Sequence, residues 1–309
     1  MEFFHKTNFD FMAWRRVAIS LSVTAILIGI VSMFLKGGPA YNIDFLGGSE
    51  LQVRFQQPKT PEALRGAVAA TDFRDVEIKQ FGDPHHYVIR FQQQPDSQPG
   101  SEQVMTALKS AFPDNPPELL ALSTIGPKVG HELQESAVWA VLFSLGLILI
   151  YISIRFEFIF AVGAVIALFH DVLITLGIFS ILNREIGLTV LGAFLTLVGY
   201  SLNDTIVVFD RIRENLKVRR REAQTINQII NLSINDTLSR TILTGTTTLM
   251  VIVVSLAFGG EALRDFFLCL FIGIIVGTYS SVFIAAPVIS GWYSKGRSVK
   301  PGPKTATVR

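Results

Sequence analysis

Asp204 stands, directly after Asn203, in the stretch VGYSLNDTIVVFDRIREN (198–215), near the end of a run from 186 to 209 with no other charged side chain. A charge at bilayer depth costs roughly 2.5–3.5 kcal/mol even on lenient insertion scales. A carboxylate kept there is therefore either held by its surroundings or used. Its chemistry would be proton uptake and release, and two other apolar runs carry groups that could assist. TLSRTILTGTTT (237–248) brings in Arg240, followed by Thr241, Thr244, Thr246, Thr247 and Thr248. Arginine biases the proton affinity of a carboxylate without itself titrating, and threonine hydroxyls bond across helices or hold water. ALFHDVLITLG (167–177) places His170 and Asp171 near the middle of a third run. The candidate proton relay is thus Asp204, Arg240, Asn203 and Thr247, with His170 and Asp171 as a secondary polar pair. The plainer reading is that these groups pair only to lock helices, and a neutral histidine bonded to the next helix would suffice for His170.

The elements that must position these groups are apolar helices. Of 309 residues half are apolar and 17% charged, with a mean hydropathy of +0.44. Apolar runs long enough to span a bilayer fall at 17–35, 137–154, 158–182, 186–209, 241–260 and 266–292. On the fourth, Gly192, Thr196, Gly199 and Asn203 recur at helical spacing as a close-packing stripe; on the sixth, Gly273 and Gly277 form a GxxxG pair extended by Ser281. The first run is too long for a signal-peptide core and lacks an A-x-A site before Lys36, so it reads as an uncleaved anchor. The single cysteine, Cys269, excludes an intrachain disulfide.

Basic residues set the expected orientation. Lys6, Arg15 and Arg16 precede the first run, Arg211, Arg213, Lys217, Arg219, Arg220 and Arg221 follow the fourth, and Lys295, Arg297, Lys300, Lys304 and Arg309 lie in the tail. This puts residues 1–16, a basic loop over 210–240 and the tail 293–309 in the cytoplasm, and residues 36–136 outside. Within 226–238, Ile226, Ile229, Ile230, Ile234 and Leu238 share one helical face, which suits either an amphipathic segment lying on the membrane surface or a docking helix for a partner.

The exported stretch alternates in period. A strand is expected over 50–56, a helix over 60–70 with Thr60 as N-cap and Pro61 in the first turn, then strands over 74–81 and 87–91. A Pro/Ser/Gln linker, a helix over 101–111 and a strand near 118–123 complete the pattern. The order β-α-β-β-α-β is the ferredoxin-like plan. The fold class is therefore a six-helix membrane protein, helices two to six filling 137–292, with a ferredoxin-like α+β domain between helices one and two.

Several classes are set aside. There is no G-x-x-x-x-G-K-[ST] loop for a nucleotide, no paired aspartate motif of an intramembrane protease, and no basic cluster interleaved with aromatics for nucleic acid. Neither an enzyme nor a metal site is expected. A half-size exporter of lipids or small molecules would share the carboxylate logic but needs a second large external domain, and a non-transporting assembly scaffold would tolerate loss of the titratable proton.

GYSLNDTIVVFDRIREN, YNIDFLGGSELQVRF, TIGPKVGHEL, the mid-helix HD pair and SRTILTGTTT, in that arrangement over nearly the whole chain, resemble the SecF family, the smaller half of the SecDF accessory complex of bacterial protein export. The resemblance implies RND-type ancestry and a periplasmic ferredoxin-like domain in the inner membrane. It implies SecD as the partner completing a twelve-helix core, contact with the SecYEG translocon and with YajC and YidC, translocating preproteins as clients, and lipid as surroundings. It also implies that the proton-motive force, with no bound cofactor, drives the work. The family's membrane carboxylate falls on Asp204 and its arginine on Arg240. The segment usually GIDFTGG is NIDFLGG here, with Asn42 and Leu46 as the departures.

Overall fold

The computed structural model describes residues 7–69, 71, 73, 76–91, 100–219, 224–260 and 263–296. The expected linker over 92–99, Lys6, Arg220, Arg221, the link at Glu261 and the tail beyond 296 lie outside these residues.

Helix α1 (Phe11–Leu35) starts six residues before the apolar run, because the Asp10 carboxylate accepts from the Ala13 amide and caps it. Arg15 and Arg16 consequently sit inside the helix. Beyond Lys36 a short helix, α2 (Ile43–Leu46), is capped by the Asn42 side chain, which accepts from Asp44 N. Asn42 thus gives its position an N-cap that glycine lacks. Gly47 and Gly48, at φ 74° and 131°, turn the chain into the sheet through conformations that other residues rarely adopt.

Strand β1 (Gly48–Arg54), α3 (Pro61–Val68), β2 (Glu77–Gln80), β3 (His86–Phe91), α4 (Gly100–Ala111) and β4 (Glu118–Ile125) follow. The sheet order is β2-β3-β1-β4, antiparallel throughout, with Leu51 opposite both Ile89 and Leu122. This is the ferredoxin-like plan expected from the alternating periods. Thr60 caps α3 by accepting from Ala63 N. Leu51, Val53, Phe55 and Ile89 on one sheet face meet Leu64, Val68, Val104 and Leu108 from the two helices, all essentially inaccessible. The other face is polar, carrying Glu50, Gln52, Lys79 and Arg90.

Helix α5 (Pro127–Arg155) begins ten residues before the expected span, with Pro127 in its first turn, so the domain ends near 126 and not at 136. Its Gly130 lets the helix lie against the backbone of Phe45 and Gly47, where a Cβ would come within 2.8 Å. Helices α6 (Phe158–Ile181), α7 (Leu188–Arg219) and α8 (Ile226–Phe258) follow; the sixth crossing is α9 (Arg264–Ser280), one π-turn (Ser281–Ala285) and α10 (Ala286–Gly296). Among the described residues, six helices are long and apolar enough to cross a membrane. The chain is therefore a multi-pass membrane protein. Helices α6, α7 and the sixth crossing form the interior, while α1, α5 and α8 bury only narrow stripes and present residues such as Leu27, Phe34, Phe143 and Val251 outward.

Among its described residues the expected basic loop over 210–240 is mostly helix. At 1.5 Å per residue, the 32 residues of α7 reach about 48 Å, longer than a ~30 Å hydrocarbon core, and α8 restarts at a Thr225/Gln228 capping box. Nor does 226–238 form a separate surface segment. Ile229, Ile230 and Ile234 are buried against Met12, Ile212 and Leu216, so this apolar face belongs to the chain's own core. Its neighbouring asparagines grip the start of α1. Asn235 accepts from Phe9 N, Asn231 accepts from Met12 N and donates to Asp10, and Asn227 accepts from Arg15.

Candidate functional site: a polar seam inside the helix bundle

Close backbone approach makes the seam possible. Gly273 of α9 lies where a Cβ would overlap Leu197 of α7, and Gly277 where one would stand 3.0 Å from Ser201 Cβ. Gly29 and Gly177 cross α1 over α6 with the same intimacy, an added Cβ on Gly29 falling 2.6 Å from Gly177 Cα. Small residues let helices pack at backbone contact and bring short polar side chains within bonding range.

Two carboxylates occupy the seam. Asp171, wholly buried, is fully ligated: Ser201 Oγ of α7 donates to its Oδ2 at 2.5 Å, Ser280 Oγ of α9 donates to the same oxygen at 2.9 Å, and His170 Nδ1 lies 2.9 Å from its Oδ1. His170 Nε2 lies 2.9 Å from Ser22 Oγ on α1, Ser22 is 3.0 Å from the Tyr279 hydroxyl, and Tyr279 donates to Ala18 O at 2.7 Å. The Tyr279 ring stacks on His170 with centroids 6.0 Å apart. One network therefore ties α1, α6, α7 and α9 together.

Asp204, 3% exposed, sits one turn along α7 from Ser201 and is held far more loosely. Its one hydrogen bond among the described residues is a long one, donated by Thr278 Oγ1 of α9 at 3.4 Å. Arg240 is near enough for its charge to act on Asp204, yet its side chain is exposed. Asn203 and Thr247 are exposed too and make no hydrogen bond to the carboxylate; the Thr247 hydroxyl donates to Leu243 O and Thr244 O of its own helix. Beside the threonine-rich segment, α7 reaches α8 instead through Tyr200, whose hydroxyl lies 3.1 Å from Thr244 O and 3.2 Å from Thr248 Oγ1.

The stripe of Gly192 and Gly199 does not pack within the chain. A Cβ on either would meet nothing within 4 Å, and Thr196 and Asn203 are exposed beside them. Helical spacing shows that small residues share a face and does not say which neighbour that face meets. The sequence reading also missed Ser22, Ser201, Thr278, Tyr279 and Ser280. Lone serines in apolar helices carry little signal, but the run TYSS at 278–281, ending in the π-turn, is a polar cluster in mid-helix. π-Turns inside helices recur at functional sites.

A second polar contact joins the domain to the bundle. Glu185, in the link between α6 and α7, receives Lys79 Nζ at 2.5 Å and also pairs with Arg90, which holds Glu50 at 2.8 Å. Burial disfavours charge on Glu185, but the Lys79 hydrogen bond and the Arg90 and Lys79 charges outweigh it and hold the carboxyl below its ordinary value. Alongside, Ile186 N donates to Ala40 O, and Asp44 accepts from Leu188 N at the start of α7. A cavity of about 660 Å³ opens between the polar sheet face and this link.

A bundle of six membrane-length helices closed over buried carboxylates, with one ferredoxin-like domain strung between the first two, defines an RND-like membrane protein. The match to known proteins is specific. A family profile described as protein export membrane protein SecD/SecF, C-terminal, covers residues 103–295. The chain is 43% identical over 286 residues to the protein translocase subunit SecF of Thermodesulfovibrio yellowstonii, covering 92% of this chain and 94% of that one. It is 41% identical to that of Rhodothermus marinus, with 94% of each covered. It superposes on the crystal structure of SecDF, a translocon-associated membrane protein from Thermus thermophilus, with a TM-score of 0.83 at 37% identity over 93% of this chain. Against SecDF in a super-membrane-facing form the TM-score is 0.71 at 36% identity over 95% of this chain. The chain belongs to the SecF family of protein translocase subunits. It spans 39% and 40% of those two SecDF chains.

Proposed function

We propose that this protein works with SecD in moving proteins across the cytoplasmic (inner) membrane, and that proton uptake and release at Asp204 drives movement of the α+β domain. The observation that carries this reading is the contrast between the two carboxylates. Asp171 has every oxygen engaged, whereas Asp204, nearly as buried, has one long bond among the described residues, and a carboxylate so thinly held inside a helix bundle calls for an explanation. A group that must alternately gain and lose a proton is served by such loose ligation. A proton crossing inward releases about 2.3 kcal/mol per 100 mV, enough to bias a two-state motion. Helices α1 and α5 flank the domain and would transmit that bias.

The open face formed by Gly192, Thr196, Gly199 and Asn203, with Arg240 and Thr247 exposed nearby, suits SecD as the partner that completes the site. Basic residues at the end away from the domain, Arg15, Arg16, Arg211 and Arg213, favour a cytoplasmic location for that end and a periplasmic one for the domain. Translocating preproteins are the clients of this reading, with SecYEG, YajC and YidC as neighbours in the machinery. No nucleotide chemistry and no cofactor are required.

Asparagine hydrogen-bonds like aspartate but cannot titrate, so Asp204→Asn should leave the protein inserted and partnered with SecD while proton-driven export in reconstituted membranes fails. Asp204→Glu, still titratable, should retain part of the activity, and Arg240→Lys should be intermediate because charge survives but the planar fork does not. Export at the normal rate by Asp204→Asn, or a harsher effect of Glu than of Asn, would make the carboxylate a packing element and end this reading.

A further inference from the structure

Helix α5 turns into α6 at Arg155, Phe156 and Glu157, at the end of the bundle away from the α+β domain. Two guanidiniums share one ring there. Arg155, the last residue of α5, and Arg213 of α7 each hold their Cζ 5.4 Å from the centre of the Phe156 ring, so the two cations stand no more than about twice that distance apart. Arg213 Nη1 also donates to Arg155 O at 3.2 Å. Among the described residues no carboxylate pairs with either arginine. The nearby acids are engaged elsewhere: Glu157 accepts from Tyr293, and Glu214 and Asp236 both hold Arg211. Like charges gathered on one ring favour an anion between or beside them, and the planar fork of arginine fits a phosphate.

A groove runs from the same end along the outward face of the bundle. Its first part, about 500 Å³, is lined by Phe158, Ile159 and Val162 of α6 and by Pro287, Gly291 and Trp292 of α10. Its second part, about 420 Å³, shares Pro287 and Val288 and continues between α6 and α1 as far as Leu173 and Ser22. Phe158, which opens the groove, is three residues from Arg155. From Phe158 to Leu173 the helix rises about 22 Å at 1.5 Å per residue, enough for an acyl chain that spans one leaflet, about half of a ~30 Å hydrocarbon core. The mouth is marked by Trp292, 60% exposed, and tryptophan favours the headgroup level of a membrane.

We propose that this corner is a binding site for one anionic phospholipid, with Arg155 and Arg213 on its phosphate-bearing headgroup and one acyl chain laid along α6 toward Ser22. A soluble phosphate would use the arginines and leave the groove empty, whereas a lipid without net charge would fill the groove and leave two cations uncompensated. Only a charged lipid answers both features. Bound there, it would tie the α5–α6 corner to α7 and α10 at the end of the bundle opposite the domain. The site does not depend on the role proposed for Asp204.

Tryptophan quenching of the full chain in liposomes measures the site. The chain has three tryptophans, and Trp14→Phe with Trp139→Phe leaves Trp292, at the mouth of the groove, as the reporter. The liposomes mix phosphatidylcholine with phosphatidylglycerol of the same chain length, one of the two brominated on its acyl chains. Each basic residue near a membrane surface strengthens binding of anionic lipid roughly fivefold, so phosphatidylglycerol should be preferred at the reporter by about tenfold to thirtyfold, and Arg155→Gln and Arg213→Gln should each cut that preference about fivefold. Arg211→Gln removes the same formal charge from a guanidinium already paired with Glu214 and Asp236 and should leave the preference near its original value. Gly291→Phe, where an added Cβ meets nothing within 4 Å, should fill the mouth and weaken phosphatidylglycerol binding. Inorganic phosphate at millimolar concentration should not displace the lipid. Equal quenching by the two lipids, a loss on Arg211→Gln as large as on Arg155→Gln, displacement by inorganic phosphate, or undiminished phosphatidylglycerol binding by Gly291→Phe would each overturn the proposal.

Discussion

Replacing Glu185 by glutamine is expected to loosen the α+β domain from the helix bundle. The carboxylate receives Lys79 at 2.5 Å and pairs with Arg90, while its own side chain is only 16% exposed. A hydrogen bond to a charged group contributes about 1.5–3 kcal/mol. The loss is smaller than two such bonds, since half-exposed Lys79 rehydrates and Arg90 keeps Glu50 at 2.8 Å. About 1–2 kcal/mol remains, a factor of roughly 5–30 in the ratio of docked to undocked domain. Spin labels at Glu62 on α3 and Met250 on α8, both exposed, would report the ratio as a distance distribution in liposomes. The pH dependence has a definite sign. Because docking holds the Glu185 carboxyl below its ordinary 4.5, its contribution is complete above that value and is lost as pH falls through the lower docked value. Glu185→Gln should flatten this acid response. An unchanged distance distribution in the variant, or a wild-type domain that undocks as pH rises toward neutrality, would refute the latch.

Two further outcomes test the packing. Gly177→Ala puts a Cβ 2.8 Å from Gly29 Cα, a backbone atom that cannot swing aside, so thermal unfolding in detergent should show a loss of about 1–3 kcal/mol; Gly146→Ala, facing open space, is the neutral control, and equal behaviour of the two would deny the crossing. A fragment spanning 42–124 should fold alone and cooperatively, with Leu64→Ala, at a fully buried position, costing about 2–5 kcal/mol in urea unfolding.

The fold was largely legible because its signals are local. Leu51, Val53 and Phe55 alternate as a half-buried strand must, Thr60 and Pro61 announce a helix start, and apolar runs of membrane length need no tertiary information. Boundaries shifted where a cap outside the apolar run decided them, as Asp10 does for α1. The site was legible only as residue types. Asp204, His170 and Asp171 stand out because charge is costly in lipid, but which of them is saturated with partners depends on Ser22, Ser201 and Ser280, brought from three other helices. Spacing on α7 showed that Gly192 and Gly199 share a face, whereas their exposure depends on where α9 packs, which is set by Gly273 and Gly277 meeting Leu197 and Ser201. The isoleucines of 226–238 have the periodicity of a membrane-surface helix because a buried helix end and a lipid-facing one share the same pattern.

The asparagine grip on α1 has a consequence for how the chain is made. Phe9 bonds to Asn235, 226 residues later, and Met12 to Asn231, 219 residues later. At ribosomal rates of roughly 5–20 residues per second, Asn235 emerges on the order of 10–45 s after the segment it secures. Throughout that interval α1 lacks its final partners at its N-terminal end, and Ser22 likewise waits through 148 residues for His170. Helix α1 is thus fastened only long after it is made, and lipid or another protein must shield its polar stripe until α8 arrives.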